Sequence, residues 1–230
     1  MKKKQIAKLG LTLGLVGAIG VGGTLAILSQ KTNAVVNTFA VGDGITAQDI
    51  TIDETNVEAP NWDGKISDTD RDTANSYTIT PGVSLVKDPQ VHVKESAADC
   101  YVFINVYNVD EFIEELGKEN VEMDGFGANG RWVKLNSTEE GYDGVYYYRA
   151  EKEAATGGTK VSVDDKFDSP KVFTGITLKK DAEVYEADGT GKTNIPKIQV
   201  KAAAVQATGL TSSWTDATSL MSTFNWGTWQ

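Results

Sequence analysis

The run Cys100-Tyr-Val-Phe-Ile-Asn-Val-Tyr-Asn-Val109 is apolar at odd and even positions alike, and no other segment restricts the fold so strongly. Successive residues of a strand face opposite ways, so burying Tyr101, Val102, Phe103, Ile104 and Val106 together requires cover on both faces. This run is expected to be the central strand of a sheet. Shorter β-prone runs surround it: Val35 to Val41, ended by Gly42-Asp43-Gly44; a strand suggested by Ile45, Ile50 and Ile52; Tyr77 to Thr80, stopped by Pro81-Gly82; Val91 to Val93; Arg131 to Leu135; Gly144 to Ala150; Lys171 to Lys179; and Lys197 to Thr208. Residues 53–76, polar and turn-rich, read as a surface loop. Phe112, Ile113 and Leu116 at helical spacing behind Asp110, a capping residue, predict a short helix over Asp110 to Lys118. A second short helix is expected after Leu210, before the aromatic cluster Phe224, Trp226 and Trp229, which is too apolar to stay wet and should dock on the body. The pattern predicts a mainly β fold: a jelly-roll-like antiparallel β-sandwich with one or two short helices, preceded by an N-terminal signal helix.

The leader is the clearest signal of destination. Lys2, Lys3, Lys4 and Lys8 precede an uncharged apolar run from Leu9 to Leu28, the arrangement of a secretory signal peptide, with the basic residues staying cytoplasmic. Small residues suited to cleavage occur at Thr24-Leu25-Ala26 and again at Thr32-Asn33-Ala34; cleavage after Ala26 is preferred, and an uncleaved membrane anchor is the rival reading. The expected organisation is a signal peptide over 1–26, an N-terminal segment over 27–44 and one β-sandwich domain over 45–230. Contact with a membrane is expected only through the leader before cleavage. The formal net charge is −10, and loss of the four leader lysines would take it to about −14. Such acidity excludes nucleic acid as a partner and suits a secreted protein. Cys100 is the only cysteine, so no internal disulfide can form.

Catalytic chemistry finds few candidates. His92 is the only histidine and lies between Val91 and Val93, where strand alternation turns it toward solvent; no HExxH is present. Cys100 reads as a small buried hydrophobe rather than a nucleophile. Asp188-Gly-Thr-Gly-Lys192-Thr193 resembles the end of a phosphate loop, but Glu186 occupies the place of the first glycine and a hairpin turn explains the segment better. Asp68, Asp70 and Asp72 resemble the start of a calcium loop, yet Thr73 and Ile79 stand where the motif needs Gly and Glu. They remain weak calcium candidates, and no other cofactor is expected.

Several short motifs in a fixed order, Gly20-Val-Gly-Gly-Thr-Leu-Ala26, Asn37-Thr-Phe-Ala-Val-Gly42, Pro81-Gly82, Lys87-Asp-Pro-Gln-Val91 and Cys100-Tyr-Val102, resemble the TasA, CalY and camelysin group of Gram-positive bacteria, exported through the signal peptidase SipW. Arg131-Trp132, Tyr146-Tyr-Tyr148 and Val172-Phe-Thr-Gly-Ile176 extend the likeness over most of the chain. The resemblance implies a jelly roll, cleavage after Ala26 by a SipW-type peptidase, and a secreted matrix or cell-surface protein that self-assembles into a homopolymer, with other matrix proteins as further partners. It also implies assembly by strand donation, for which Val35, Val36, Phe39 and Val41 are the β-prone, uncharged candidates. A monomeric adhesin-like surface module and a camelysin-like metallopeptidase are the alternative readings. No enzymatic activity is expected.

Overall fold

The computed structural model describes residues 30–32, 35–37, 45, 48–95, 98–127, 130–150, 157–162, 164–207 and 214–227. The chain is mainly β. Its strands in order are β1 (Gln30–Thr32), β2 (Val35–Asn37), β3 (Ile50–Thr55), β4 (Arg71–Asp72), β5 (Ser84–Val86), β6 (Gln90–Val93), β7 (Cys100–Tyr107), β8 (Val121–Asp124), β9 (Trp132–Lys134), β10 (Gly144–Tyr148), β11 (Lys160–Val161), β12 (Phe167–Asp168), β13 (Gly175–Leu178) and β14 (Gln199–Gln206). Among the described residues two helices accompany them, α1 (Val109–Glu115) and α2 (Trp214–Ser222).

The expected central strand takes that place. β7 pairs antiparallel with β14 over its whole length, from Tyr107 opposite Gln199 to Cys100 opposite Gln206. Its other edge is shared by β10 and β11, and β10 carries β9 outward. A second sheet has the order β12-β6-β3-β4 and a third β5-β13-β8, every pairing being antiparallel. All three contribute to one core: Val102, Ile104 and Val106 of β7 and Val200, Ala202 and Ala204 of β14 meet Ile50, Ile52, Val91, Val93, Met123, Ile176 and Leu178. The alternate residues of the central pair, Phe103, Ala203 and Val205, enter a separate apolar cluster with Ala217 and Met221 of α2 and with Trp214, Phe224 and Trp226. The C-terminal segment therefore supplies the second cover that the β7 sequence demands. Phe103 is fully buried, a change worth about 1.5–3 kcal/mol for such a side chain. Lys201 is the polar interruption of β14; although buried, its Nζ donates to the Trp226 carbonyl at 3.1 Å and so ties down the tail. Trp229 lies outside the described residues.

Three expectations require correction. Residues 77–80 form no strand; Tyr77 and Ile79 are half-buried while their neighbours are exposed, so the alternation records which side faces inward without a ladder partner beside it. The loop expected over 53–76 is shorter, because β3 runs to Thr55 and β4 pairs back onto it. The cap of α1 comes from a distant residue: Oδ1 of Asp143 accepts the Val109 N–H at 2.8 Å and its Oδ2 accepts that of Asn108 at 3.0 Å. Asp110, the expected cap, instead accepts the Tyr142 and Asp143 N–H groups at 2.8 and 2.9 Å. Local sequence encodes the acidic residue but not the reciprocal loop that exchanges roles with it.

Candidate functional site

Two features on the side of β3 stand out, a groove and a chain of charges. The groove has a volume of about 710 Å³ and is lined by residues of β3, of the 73–79 segment and of the 184–200 stretch, with Ile52, Leu85, Ile176 and Val200 among its apolar lining. In β3, Ile50 and Ile52 point into the core, and period-two alternation carries Glu54 to the same face, where it is 6% exposed. A buried carboxylate needs partners, and three converge on it. Lys87 Nζ donates to Oε2 at 2.8 Å. Asn75 Nδ2 and the Tyr77 hydroxyl donate to Oε1 at 2.9 and 3.1 Å. The ammonium also stands 5.3 Å from the Tyr77 ring centroid, within cation–π range. Burial, and then the Glu54 charge, push the Tyr77 phenol far up, so it stays a donor.

The charge chain lies on the outer face of the β12-β6-β3-β4 sheet. Asp88, fully buried, accepts the Thr55 N–H through Oδ1 at 2.7 Å and Arg71 Nη1 through Oδ2 at 2.9 Å. Arg71 spends its remaining donors on the Asp53 carboxylate and on the carbonyls of Ser67, Asp53 and Asp88. His92 bridges onward, with Nε2 2.9 Å from Asp53 and Nδ1 2.5 Å from Asp168. An imidazole with a carboxylate at each nitrogen satisfies both only as the doubly protonated cation. The hydrogen bond to Asp53 raises its pKa, burial opposes, and Asp168 adds to the rise. Burial acts to raise the Asp53 carboxyl, but hydrogen bonds from His92 and Arg71 prevail and hold it below its ordinary value. The expected solvent-facing His92 is thus corrected: half-buried and clamped, it has no ring nitrogen left to serve as a base toward a nucleophile.

The three calcium candidates are not brought together. Asp68 pairs with Lys171 at 2.6 Å, Asp70 accepts from Asn56 at 3.3 Å, and Asp72 accepts the Thr73 N–H at 2.6 Å. Among the described residues no group of three His, Cys, Asp or Glu side chains could hold a metal ion. Cys100 is fully buried, and burial, with the Asp99 charge, pushes its thiol up to about 12, the opposite of a reactive thiolate. Val35 and Val36 lie in β2, which is laddered to β1 with Val36 opposite Lys31; Thr24, Ala26, Phe39 and Val41 lie outside the described residues. The Cα trace of β2 passes within 8 Å of both β14 and β3, so the N-terminal strand sits at the seam between the two larger sheets. No motif assigns a role to Glu54, Asn75, Lys87, Arg71 or Asp88. The one available signal was phase: Glu54 continues the buried register of Ile50 and Ile52. No described helix is long and apolar enough to cross a membrane. Compared with known proteins, the chain matches no family model, no curated protein and no solved structure.

Proposed function

We propose that this chain is a secreted structural protein of the extracellular matrix or cell surface, a fibre subunit with a jelly-roll body that assembles by donating its N-terminal strand to a neighbour. The observation that carries the reading is the position of β2 at the seam of β14 and β3 while its described ladder joins it only to β1. A strand held at such a seam can be exchanged for the identical strand of a second copy, since the same contacts re-form in the next subunit and the exchange propagates as an open chain. The β-prone, proline-free composition of Val35, Val36, Phe39 and Val41 suits this role. Export would follow from the basic and apolar leader and its removal after Ala26 by a SipW-type peptidase, and the chain would act by assembly without turning over a substrate.

Deletion of Ile27 to Val41 tests the proposal. The truncated chain is expected to stay folded by circular dichroism and monomeric by size exclusion. The chain beginning at Ile27 is expected to form filaments visible by electron microscopy at high concentration. Filaments from the truncated chain, or a persistent monomer from the longer one, would overturn the reading, the latter in favour of a monomeric surface-binding module.

A further inference from the structure

We infer that Lys87 and Asn75 are partners in an autocatalytic isopeptide bond, with Glu54 as the catalytic acid and base. The three residues belong to separate parts of the chain, β3, the segment after β4 and the position after β5, yet one carboxylate gathers both reacting groups. Its Oε2 receives Lys87 Nζ at 2.8 Å, and its Oε1 receives Asn75 Nδ2 at 2.9 Å. The carboxamide is held on every side: Nδ2 also donates to the Thr55 carbonyl at 2.9 Å, and Oδ1 accepts the Val57 N–H at 3.0 Å. Those bonds fix its orientation, with nitrogen toward the proton donor and oxygen toward a backbone amide. The reacting groups border the groove but are largely shielded, Glu54 being 6% exposed and the Lys87 side chain 14%.

Each element has a chemical use. Lys87 Nζ and Glu54 Oε2 share a 2.8 Å hydrogen bond, along which Lys87 can pass a proton to Glu54. The neutral amine then attacks Cγ of Asn75. The Nζ–Cγ bond forms as the carbonyl π pair moves onto Oδ1, where the Val57 N–H meets the developing negative charge as an oxyanion-hole donor does. Glu54 delivers that first proton to Nδ2, and the carboxylate so restored takes the second proton from Nζ; the carbonyl re-forms as the Cγ–Nδ2 bond breaks, and the ammonia set free takes the last proton from Glu54 and departs as ammonium through the open groove. An alkylammonium and a primary carboxamide become a secondary amide and ammonium, with no oxidant, reductant or activating group required. Fixing amine and carboxamide on one carboxylate supplies the proximity that lets so slow a reaction proceed unaided. Tyr77, whose hydroxyl donates to Glu54 and whose ring faces the lysine, is a positioning residue.

The bond would tie the segment after β4 to the residue that follows β5 and close a short loop covalently. A chain with one cysteine has no internal disulfide for that purpose, and an amide resists the reduction that would open one. Intact-mass spectrometry of the purified full chain decides the matter. The expected mass is lower by one ammonia, about 17 Da, than the sequence read from its actual N-terminal residue. Proteolysis should then release one branched peptide containing both Asn75 and Lys87. Lys87→Arg, which keeps the charge beside Glu54, and Glu54→Gln are each expected to run at the full sequence mass. Should Glu54→Gln fail to fold, Lys87→Arg gives the same reading. A wild-type chain that retains its full mass after prolonged incubation at neutral pH overturns the inference. So does loss of ammonia without the branched peptide, which would place the event at another asparagine.

Discussion

The two larger sheets finish their outer faces by opposite means. Over β7 and β14 the cover is apolar. Trp214 lies flat on Phe103 at 5.6 Å with 3° between the planes, and Tyr101 and Tyr147 meet it edge-on at 5.4 and 4.7 Å. Gly157 and Gly158 pass so close that a Cβ on Gly158 would stand 2.4 Å from the indole. Over β3, β6 and β12 the face is ionic, with Arg71, Asp53, His92 and Asp168 joined in one chain anchored on buried Asp88. Aromatic packing depends on shape and holds at any pH that leaves the backbone intact. A charge chain depends on the protonation state of each member, and removing one member strands the next. The aromatic face thus stabilises the body unconditionally, whereas the ionic face ties its strands together only within a window of conditions.

The sharpest way to break this comparison is at Phe103. Phe103→Ala empties a fully buried site beneath Trp214 and is expected to cost about 3–5 kcal/mol, read as a lower denaturant midpoint. The loss should be the same in mildly acidic and mildly alkaline buffer. A strong dependence on pH would mean that the aromatic cover and the ionic face unfold as one unit. Asp88→Asn comes next. It keeps an acceptor for the Thr55 N–H but removes the charge opposite Arg71, whose side chain is only 7% exposed, and should cost about 1.5–3 kcal/mol. A loss near zero would show that Asp53 and the three carbonyls satisfy the guanidinium without the Asp88 carboxylate charge.

The same contrast governs what could be read in the sequence. Apolar periodicity is local, so the two-faced burial of β7, the docking of Phe224 and Trp226 and the buried state of Cys100 were all legible before any coordinates. Charge partnerships are not local. Arg71 meets Asp53 and Asp88 from 18 and 17 residues away, and Lys87 meets Glu54 across 33; no spacing rule ties such positions together. His92 was misplaced for this reason: alternation gave its face correctly, but the two carboxylates that clamp it come from β3 and β12. Asp68, Asp70 and Asp72 looked like a cluster because they are adjacent in sequence, and the backbone sends each to a different partner. Tyr77 to Thr80 alternates as a strand does, yet strand status belongs to a neighbour that the segment lacks.

The smallest expected effect is also the most diagnostic of the ionic face. His92→Gln keeps a single amide NH2 group but has neither the charge nor the two separate donor nitrogens with which the imidazolium meets both Asp53 and Asp168. Because the folded pKa of His92 lies above its ordinary 6.5, the imidazolium contributes in full below that value, and its contribution fades as pH rises through the folded value. Asp53 and Asp168 are held below their ordinary 3.8; in each case burial opposes the shift, and His92 outweighs it together with Arg71 for Asp53 and Lys166 for Asp168. Their contributions are therefore present above 3.8 and disappear as acid protonates them. The difference in stability between wild type and His92→Gln should peak at about 1 kcal/mol between those limits and shrink toward both extremes. Denaturant titrations across that range measure it directly. A difference that stayed flat on the alkaline side would mean that His92 holds β6 to β12 by packing rather than by charge, and the contrast between the two faces would lose its electrostatic half.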